Sequence, residues 1–455
     1  MKKLATIARK VGIVYLIGFL TVTASSEASV YYVDARSPVA SNSGPGTLAQ
    51  PWKTIQKGAG TAIAGDTVYV KAGTYSGSVS VAHSGSDGGW ITLSAYPGQE
   101  QQAIVSGAEI QVMKSYVRIH GFRVEHAPTE GILIQGPGVS HVRIDNNYTY
   151  DTGSSGIAAW GVEYGKDPNY YQFKCITNLI IENNTIDHAN NPNLAGSGYN
   201  EQLDVANGVD TFEVRNNVIK NGNIAANGGE GIDCKEGVSN GKIWGNQVFN
   251  QPKYGIYIDA GANDPRIYSK PSATVNLQIF SNVIHDVYSA HGVGITSEGL
   301  GCTDGIYFYN NLVYNNGSDG ILVYHYPHAT GSFNNINIIN NTVCGNATRT
   351  RYYGGIDIAN DIATHVTVRN NIVVGNTAFQ IKSTNADAIM DHNLTTGDPG
   401  FVAAGSANFH LTGLSEAIGA GANLTNLKIP LLGCDKDGTA RPASRAWDIG
   451  AFQSR

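Results

Sequence analysis

The stretch that decides the fold starts at NNYTYDT (146–152) and returns seven times along the chain. Each copy is an Asn followed by apolar β-forming residues and a polar turn. The later copies are NNTIDHA (183–189), NNVIKNG (216–222), GNQVFNQ (245–251), SNVIHDV (281–287), NNLVYNN (310–316), NNTVCGN (340–346) and NNIVVGN (370–376). The marking asparagines, from Asn147 to Asn371, are 29 to 37 residues apart, with a mean spacing of 32. A repeat of about 20–50 residues predicts a solenoid or a propeller.

A second phrase, Gly followed by alternating apolar residues, lies between the Asn copies. It reads GILI (131–134), GIDC (231–234), GIYI (255–258), GILV (320–323) and GIDI (355–358). A third strand pattern precedes each Asn, as in TFEVRNN (211–217). Period-two alternation directs one side chain inward and the next outward. Three short strands per repeat therefore predict one turn of an all-β, right-handed parallel β-helix. The expected inward residues are Ile232, Cys234, Ile256, Ile258, Ile321, Val323, Ile356 and Ile358.

Two further arguments favour this solenoid. Identical Asn side chains stacked on successive turns can hydrogen-bond as a ladder. A propeller would need four antiparallel strands and about 40–50 residues per blade.

The ends of the chain differ from the repeats and divide it into four segments. Residues 1–28 hold a basic start, an apolar stretch at 11–24 and small residues before a cleavage position after Ala28, which is the pattern of a secretory signal peptide. Residues 29–108 are expected to form an N-terminal cap and the first turns, with a short helix between Trp52 and Ala64 over the open end. Residues 109–397 are the expected catalytic β-helix. Residues 398–455 are expected to be a C-terminal cap segment that closes the other end.

Composition and charge narrow the class of protein further. Charged residues make up only 15% of the chain, and 55 of its 455 residues are Gly, whereas helical bundles and coiled coils are rich in Ala, Glu, Lys and Leu. Loss of the leader, with four basic residues and one acid, would leave 26 basic and 35 acidic residues, a net charge of −9. That charge argues against nucleic acid or an anionic membrane as partner. The five scattered cysteines predict no disulfide framework. We expect a secreted monomer, extracellular or periplasmic, without a membrane anchor after cleavage.

Charge collects on the outward positions of two neighbouring repeats. EQLDVANG (201–208) and EGIDCKEG (230–237) superpose residue by residue, and YGIYIDAG (254–261) follows them. Stacked strands lie about 4.8 Å apart, so Asp204 should lie beside Asp233, and Glu201 beside Glu230. Like charges on neighbouring strands repel. Four clustered carboxylates therefore need a cation or a raised pKa.

Three interpretations of these acids stay open on the residues alone. Carboxylates from adjacent turns suit Ca²⁺, which prefers oxygen ligands. Alternatively, two of them are the acid and the base or nucleophile of a glycosidase. In the third interpretation they form a solvated ladder that pairs with Lys235 and Lys253, since clustered perturbed acids mark functional sites only statistically.

Several parts of the chain resemble the secreted β-helix polysaccharide lyases of families 9 and 6. They are the opening YYVDARS (31–37), PWKTIQKGAGTAIAGDTVYVKAGTY (51–75) and ITLSAYPGQ (91–99), the Asn-turn repeats and the residues 199–237. In family 9, a turn with acids before and inside the strand holds Ca²⁺, which is similar to Asn200-Glu201-Gln202-Leu203-Asp204. In family 6, a Glu five residues before a catalytic Lys is similar to Glu230 and Lys235. The resemblance covers most of the chain after the leader at the level of the fold.

The resemblance implies a Ca²⁺-assisted lyase that acts on an acidic, uronate-containing polysaccharide. Lys235 would abstract the proton at C5 of the uronate, with Asp233 shared between this lysine and the cation. Rings beside a charged groove suit the apolar faces of sugars. The expected cation ligands are Glu201, Asp204, Glu230 and Asp233, and the expected substrate-binding residues are Trp160, Tyr254, Tyr257 and Asp259.

Two other functions stay open. EGIDCKEG (230–237) also resembles the acidic turn of β-helix polygalacturonases, so a β-helix glycoside hydrolase is the alternative enzyme. A β-helix adhesin or carbohydrate-binding protein without chemistry is the non-enzymatic alternative, but adhesins usually carry long, monotonous arrays and this chain has one dense acidic patch. Pectate, alginate, a glycosaminoglycan and bacterial exopolysaccharides all fit as the polymer.

Overall fold

The computed structural model describes residues 28–161, 175–191, 201–225, 228–261 and 273–454. Three long parallel sheets, with 13, 11 and 11 strands, make up the body of the protein. The chain passes through the first, second and third sheet in turn, so each turn of the coil, or rung, adds one strand to each sheet. This arrangement confirms the predicted all-β, parallel β-helix.

The strand bounds are as follows. The first sheet contains Val30–Val33, Thr67–Val70, Ile91–Ala95, Val117–His120, Val139–Asp145, Ile176–Glu182, Val209–Arg215, Ser239–Trp244, Ala273–Phe280, Cys302–Tyr309, Phe333–Ile339, Thr364–Arg369 and Ile389–Asp391. The second contains Gly73–Tyr75, Ala103–Ser106, Arg123–Glu125, Tyr148–Tyr150, Thr185–Asp187, Val218–Lys220, Gln247–Phe249, Val283–His285, Leu312–Tyr314, Thr342–Cys344 and Ile372–Val374. The third contains Val79–Ser80, Ile110–Val112, Ile132–Gln135, Ile157–Trp160, Leu203–Ala206, Ile232–Lys235, Ile256–Asp259, Val293–Ser297, Ile321–His325, Ile356–Ile358 and Ile381–Ser383.

The apolar core runs down the middle of the coil, between the three sheets. All eight residues predicted to point inward are fully buried within it. Burial of these aliphatic side chains is the main force that holds successive rungs together. No disulfide bond joins the five cysteines in the part of the chain that the structure describes, and two of them, Cys175 and Cys234, are buried.

The predicted Asn ladder is present in the turn between the first and second sheets. Asn217 Oδ1 accepts hydrogen bonds from the main-chain N–H of Asn184 at 2.9 Å and from its Nδ2 at 3.0 Å. The same pair of bonds joins each asparagine to the next from Asn147 to Asn393. The ladder thus satisfies polar groups that the coil buries on every rung.

The N-terminal end carries a short helix inside the range predicted from the sequence. It spans Ile55–Thr61, begins where the Thr54 side chain accepts a hydrogen bond from Lys57 N, and buries Ile55 and Ala59. Among the described residues it is the single α-helix, and no helix there is long and apolar enough to cross a membrane. The predicted leader lies outside the described residues, apart from Ala28.

The C-terminal segment extends along the side of the solenoid. It contains the antiparallel strands Phe401–Ala403 and Asn408–Leu411 and the 3-10 helices Ala404–Ser406 and Thr425–Leu427. Trp447, which is 1% exposed, belongs to one apolar cluster with Phe280, Tyr309 and Ile339 from three successive rungs. This lateral packing differs from closure of the end alone, which the sequence led us to expect.

Candidate functional site

The acidic residues singled out from the sequence lie together on the third sheet. Its strands Leu203–Ala206 and Ile232–Lys235 pair in parallel, with Asp204 opposite Asp233 as predicted. Glu201 and Glu230 precede these strands at equivalent positions. Oxygens of Glu201, Glu230 and Asp233 lie within 4.8 Å of one another. We call Glu201, Asp204, Glu230 and Asp233 the acidic cluster.

The four side chains of the acidic cluster are almost fully buried, unlike side chains on an outward-facing surface. Glu201 and Asp233 are each 1% exposed, Asp204 is 2% exposed and Glu230 is 7% exposed. Isolated buried carboxylates are strongly disfavoured unless they are paired, protonated or bound to a metal ion. The cluster is therefore an enclosed site and not a solvated ladder.

Lys235 is a cation that the chain itself places within the acidic cluster. Its Nζ donates a hydrogen bond to Glu201 Oε1 at 2.6 Å and lies 2.8 Å from Asp233 Oδ2. The lysine side chain is 17% exposed. It therefore bridges two rungs from the outer edge of the cluster, with its ammonium group turned inward to the acids.

Two lysines act on the acidic cluster, since Lys253 also lowers the pKa of Glu230, yet several buried oxygens of the cluster lack a partner among the described residues. Asp204 Oδ2 accepts a hydrogen bond from Trp160 Nε1 at 2.5 Å. Three other buried oxygens, Glu201 Oε2, Asp204 Oδ1 and Asp233 Oδ1, have no hydrogen-bond partner in the described part of the chain. Buried acceptors without donors fit a hard cation, since Ca²⁺ is held by about six to eight oxygen ligands. The three acids with oxygens close enough together to share one ion are Glu201, Glu230 and Asp233, and Asp204 is not in this group.

Burial and mutual repulsion change the protonation of the whole cluster. Burial raises the pKa of Asp204 and Glu230, and it holds the pKa of Glu201 and Asp233 well above the usual carboxyl range, although Lys235 opposes this. Burial by itself lowers the pKa of Lys235, but Asp233 and Glu201 outweigh it and hold that pKa well above the usual lysine value. Without a bound cation, Lys235 is therefore a charged ammonium group.

The three aromatic residues expected to bind substrate flank the acidic cluster on both sides. Trp160 and Tyr254 are half-buried, whereas Tyr257 is 5% exposed and lies opposite Asp233 in register. The Tyr257 hydroxyl donates a hydrogen bond to Glu298 Oε1 at 2.8 Å, and its ring centroid lies 4.5 Å from that of Tyr254. Trp160 and Tyr254 therefore keep some exposed surface, and Tyr257 packs against Tyr254.

Asp259, the fourth expected substrate-binding residue, is 3% exposed and is held by main-chain donors. Its Oδ2 accepts from Gly261 N at 2.7 Å, and its Oδ1 accepts from Glu298 N at 3.0 Å. Burial and the nearby Glu298 raise the pKa of Asp259 to about 8. These bonds fix the position of Glu298, and so of Tyr257. The roles of all the named site residues stay predictions.

Sequence reasoning missed three polar residues of this face: Glu298, His291 and Asp319. His291 and Asp319 lie two residues before their strands, as Glu201 and Glu230 do, on the second and third rungs after that of Glu230. His291 Nδ1 lies 3.1 Å from Asp319 Oδ2, and both residues are at most 9% exposed. Aligning the position two residues before each strand would have found this pair. No comparable signal marks Glu298, which lies in a loop.

Comparison with known proteins supports the resemblance seen in the sequence. Residues 31–208 match the sequence model of a family described as "Pel9A-like, right handed beta helix region". This match confirms the right-handed coil and includes Trp160, Glu201 and Asp204. The Uncharacterized protein YwoF of Bacillus subtilis (strain 168) is 27% identical over 396 residues, which cover 79% of each chain.

Two solved structures share the fold. The crystal structure of pectate lyase Pel9A superposes with a TM-score of 0.51 and 14% identity, and the match covers 94% of this chain and 97% of that chain. The complex structure of XylC with xylose gives a TM-score of 0.58, also with 14% identity, over 94% of this chain and 98% of that chain. At these identities the likeness shows that the β-helix fold is shared. It does not show which reaction, if any, the site performs.

Proposed function

We propose that the protein is a secreted polysaccharide lyase that cleaves an acidic, uronate-containing polysaccharide by Ca²⁺-assisted β-elimination. The observation that carries this proposal is the buried acidic cluster around Lys235, with three carboxylate oxygens that have no hydrogen-bond partner among the described residues. The likeness of the fold to that of pectate lyase Pel9A supports the same class of reaction.

The residues that would hold the cation are Glu201, Asp204, Glu230 and Asp233. All four are buried, and Glu201, Asp204 and Asp233 each have an oxygen without a partner among the described residues, which fits a hard divalent ion in a low-dielectric site. When bound, Ca²⁺ neutralises these acids and draws negative charge from the substrate carboxylate, which favours removal of the adjacent proton.

Lys235 is the proposed base. Its Nζ would accept the C5 proton of the uronate while the C4–C5 double bond forms and the C4–O4 bond breaks, and the departing O4, which keeps the electron pair of that bond, would take a proton from water. Only an uncharged amine can accept this proton, and Asp233 and Glu201 now hold the amine protonated. Lys235 can therefore act as the base only when the charge of these two acids is neutralised. The base would then depend on a cation bound at the acidic cluster.

The half-buried rings would hold the sugar over the acidic cluster. Trp160 lies on the rung before Asp204, and Tyr254 lies on the rung after Asp233. Stacking of sugar faces on such rings fixes the substrate without charge. Positioning of this kind is a major source of rate enhancement, because it aligns the reacting atoms before the proton moves.

The test is a panel of polyuronates incubated with the protein, with Ca²⁺ and with a chelator. Elimination creates an unsaturated sugar end that absorbs ultraviolet light, and hydrolysis does not. We expect this absorbance to appear with Ca²⁺ on at least one polymer and to vanish with the chelator. New reducing ends without the absorbance would refute the lyase.

A glycoside hydrolase is the second candidate, and the raised pKa values favour it. A glycosidase needs one protonated carboxyl group beside an ionised one. Burial raises the pKa of Glu201 and Asp233 well above the usual carboxyl values, which favours the protonated form. An oxygen of each lies within 4.8 Å of the other. In that case Glu201, Asp204, Glu230 and Asp233 are the candidate acids, and the chelator should not abolish cleavage.

A further inference from the structure

The loop ATRTRYY (347–353) protrudes beside the same face of the solenoid as the acidic cluster. It connects strand Thr342–Cys344 of the second sheet to strand Ile356–Ile358 of the third, as the segments before Glu201 and Glu230 connect the same two sheets. We call it the basic aromatic loop. Its position makes it part of the wall of any groove that follows the third sheet.

Both ends of the basic aromatic loop are fixed to neighbouring rungs. At its start, Ala347 N donates to Ser318 O at 2.8 Å and Arg349 N donates to Gly317 O at 3.1 Å. Past its end, Gly354 N donates to the buried Asp319 Oδ1 at 2.5 Å. A loop that is held at both ends presents its tip in one position, which lowers the entropy cost of binding a ligand.

The tip carries charge and rings that face solvent. Tyr352 is 70% exposed and Tyr353 is 40% exposed. The Arg351 guanidinium lies 5.2 Å from the Tyr352 ring centroid, and its Nη2 donates to Tyr352 Oη at 3.1 Å. An exposed ring beside a guanidinium offers one surface to an apolar sugar face and one to a carboxylate.

The arginines of this loop are available to an anion. Within the described residues, neither Arg349 nor Arg351 forms an ion pair with a carboxylate; Arg349 lies over the Tyr288 ring, 3.6 Å from its centroid. The arginines on the outer face of the first sheet are paired, and they are Arg118, Arg143, Arg215 and Arg369. In a chain with net charge −6, two unpaired guanidinium groups on one fixed loop form a local anion-binding surface.

A continuous row of rings links the basic aromatic loop to the acidic cluster. The ring centroids of Tyr353 and His291 lie 5.2 Å apart, those of His291 and Tyr254 lie 5.4 Å apart, and those of Tyr254 and Tyr257 lie 4.5 Å apart. Tyr257 in turn lies opposite Asp233. Asp319 supports this row from beneath, since it contacts both His291 and Gly354.

The length of this row sets the size of the ligand. The strand that follows the loop is four rungs beyond the strand that holds Asp233 and Lys235. At about 4.8 Å per rung, the two strands are about 19 Å apart. Only a chain of several sugar units can reach from one to the other.

We infer that the basic aromatic loop is a distal subsite that binds a uronate unit of the polysaccharide chain whose cleavage occurs at the acidic cluster. Arg351 pairs with the carboxylate of that unit, and Tyr352 and Tyr353 stack against sugar faces. The inference rests on the proposed function, because it takes the acidic cluster as the place of cleavage. It adds that the substrate is an extended acidic chain and that it runs toward the C-terminal rungs.

The experiment measures binding and turnover in the full chain. The probes are trimers and octamers of galacturonate, mannuronate and glucuronate. Calorimetric titration in a chelator separates binding from cleavage. We expect Arg351→Ala and Tyr352→Ala each to weaken binding of the preferred octamer about threefold to tenfold, as for exposed ion pairs and ring contacts. In Ca²⁺, KM for the octamer should rise by the same factor, while kcat and trimer kinetics stay unchanged.

Matched variants separate the loop from general charge and folding effects. Arg445→Ala removes the same charge from an exposed turn of the C-terminal segment and should bind as the unmodified protein does. Arg351→Lys and Tyr352→Phe should keep most of the affinity.

Two results would overturn the inference: octamer binding that is unchanged in both alanine variants, or an unmodified protein that binds none of the three series. If no elimination occurs but octamer binding still depends on Arg351, the subsite stands and the proposed lyase fails. If elimination occurs and both variants match the unmodified protein at both lengths, the lyase stands and the subsite fails.

Discussion

At the scale of single residues, the chemistry depends on which charges surround Lys235. We expect Lys235→Ala to lower the rate of elimination by a factor of about 10² to 10⁴, the usual range for loss of a general base. The variant should still bind Ca²⁺, because the four carboxylates remain. Asp204→Ala should weaken both Ca²⁺ binding and turnover. Product absorbance and calorimetric Ca²⁺ titration measure the two effects.

Lys242→Ala is the matched control for this prediction, since Lys242 lies on the first sheet with its side chain 44% exposed. Full activity in Lys235→Ala would rule out this lysine as the base, even if the protein proved to be a lyase.

The acidic cluster also predicts how stability depends on pH. A carboxyl group with a higher pKa in the folded than in the unfolded chain binds more protons when folded, so stability falls as pH rises. The loss of stability should begin near the ordinary carboxyl pKa values, about pH 4. It should continue to about pH 8, the raised pKa of Asp259, which is buried near the acidic cluster and contributes in the same direction. Lys235 adds nothing here, because its raised pKa acts only above the ordinary lysine value.

We therefore expect the melting temperature of the chelated protein to fall between about pH 5 and pH 8. Ca²⁺ binds the ionised acids, so it should stabilise the protein more at the higher pH. It should therefore remove most of the fall in melting temperature with pH. Scanning calorimetry with and without chelator measures the melting temperature at each pH. Asp233→Asn, which removes one of the most perturbed acids, should flatten the slope without Ca²⁺. A melting temperature that rises with pH in the chelator would contradict the assignment.

The register of the acids could be predicted from the sequence, whereas their burial could not. Asp204 and Asp233 align because EQLDVANG and EGIDCKEG share a strand pattern of period two. Burial depends on contacts made outside the strands, where the sequence has no repeat. The contact between Lys235 and Glu201 joins adjacent rungs through side-chain rotamers, which a strand pattern does not specify.

At the scale of elements, the Asn turn is the part of each rung most sensitive to substitution. Asn282 Oδ1 accepts from Asn246 N and Nδ2, and Asn282 Nδ2 donates to Ile243 O and to Asn311 Oδ1. Asn282→Ala would leave several buried polar groups without partners. At about 1–3 kcal/mol for each such group, we expect a loss of about 3–5 kcal/mol in the free energy of unfolding.

Urea denaturation measures this loss, and Asn337→Ala is the control. Asn337 lies on a strand of the first sheet, is only half-buried and donates one bond, to Asn335 O. If the two variants lost equal stability, the ladder would contribute nothing special to the fold.

The helix near the N-terminus shows what sequence patterns resolve at this scale. The stretch between Trp52 and Ala64 predicts a helix, and the structure forms one over Ile55–Thr61. Thr54 sets the start through its bond to Lys57 N, and Ala62 adopts extended backbone at the end. Capping bonds of this kind decide the terminal residues of a helix, so a pattern of apolar positions gives the element and not its bounds.

At the scale of the whole molecule, the rungs of the solenoid differ in how much the C-terminal segment stabilises them. Most contacts of a rung are with the rungs directly before and after it, so stability is close to a sum of local terms. The C-terminal segment adds a lateral support that covers Tyr309, Leu312, Ile339 and Ile372. The acidic cluster lies on rungs before this supported region. The rungs that hold the acidic cluster and the rungs that the C-terminal segment covers are therefore expected to unfold separately.

Deletion of residues 398–455 tests this separation by hydrogen exchange. The deletion would expose apolar side chains on the last rungs, so we expect faster exchange in strands Cys302–Tyr309, Phe333–Ile339 and Thr364–Arg369. Strands Leu203–Ala206 and Ile232–Lys235 should keep their protection, because their packing comes from rungs that the segment does not touch. Trp447→Ala, which removes the largest side chain of the contact, should give a weaker form of the same pattern, with a cost of about 3–5 kcal/mol. Equal acceleration in all rungs would mean that the solenoid unfolds as one cooperative unit. In that case the C-terminal segment would stabilise the acidic cluster across the full length of the coil.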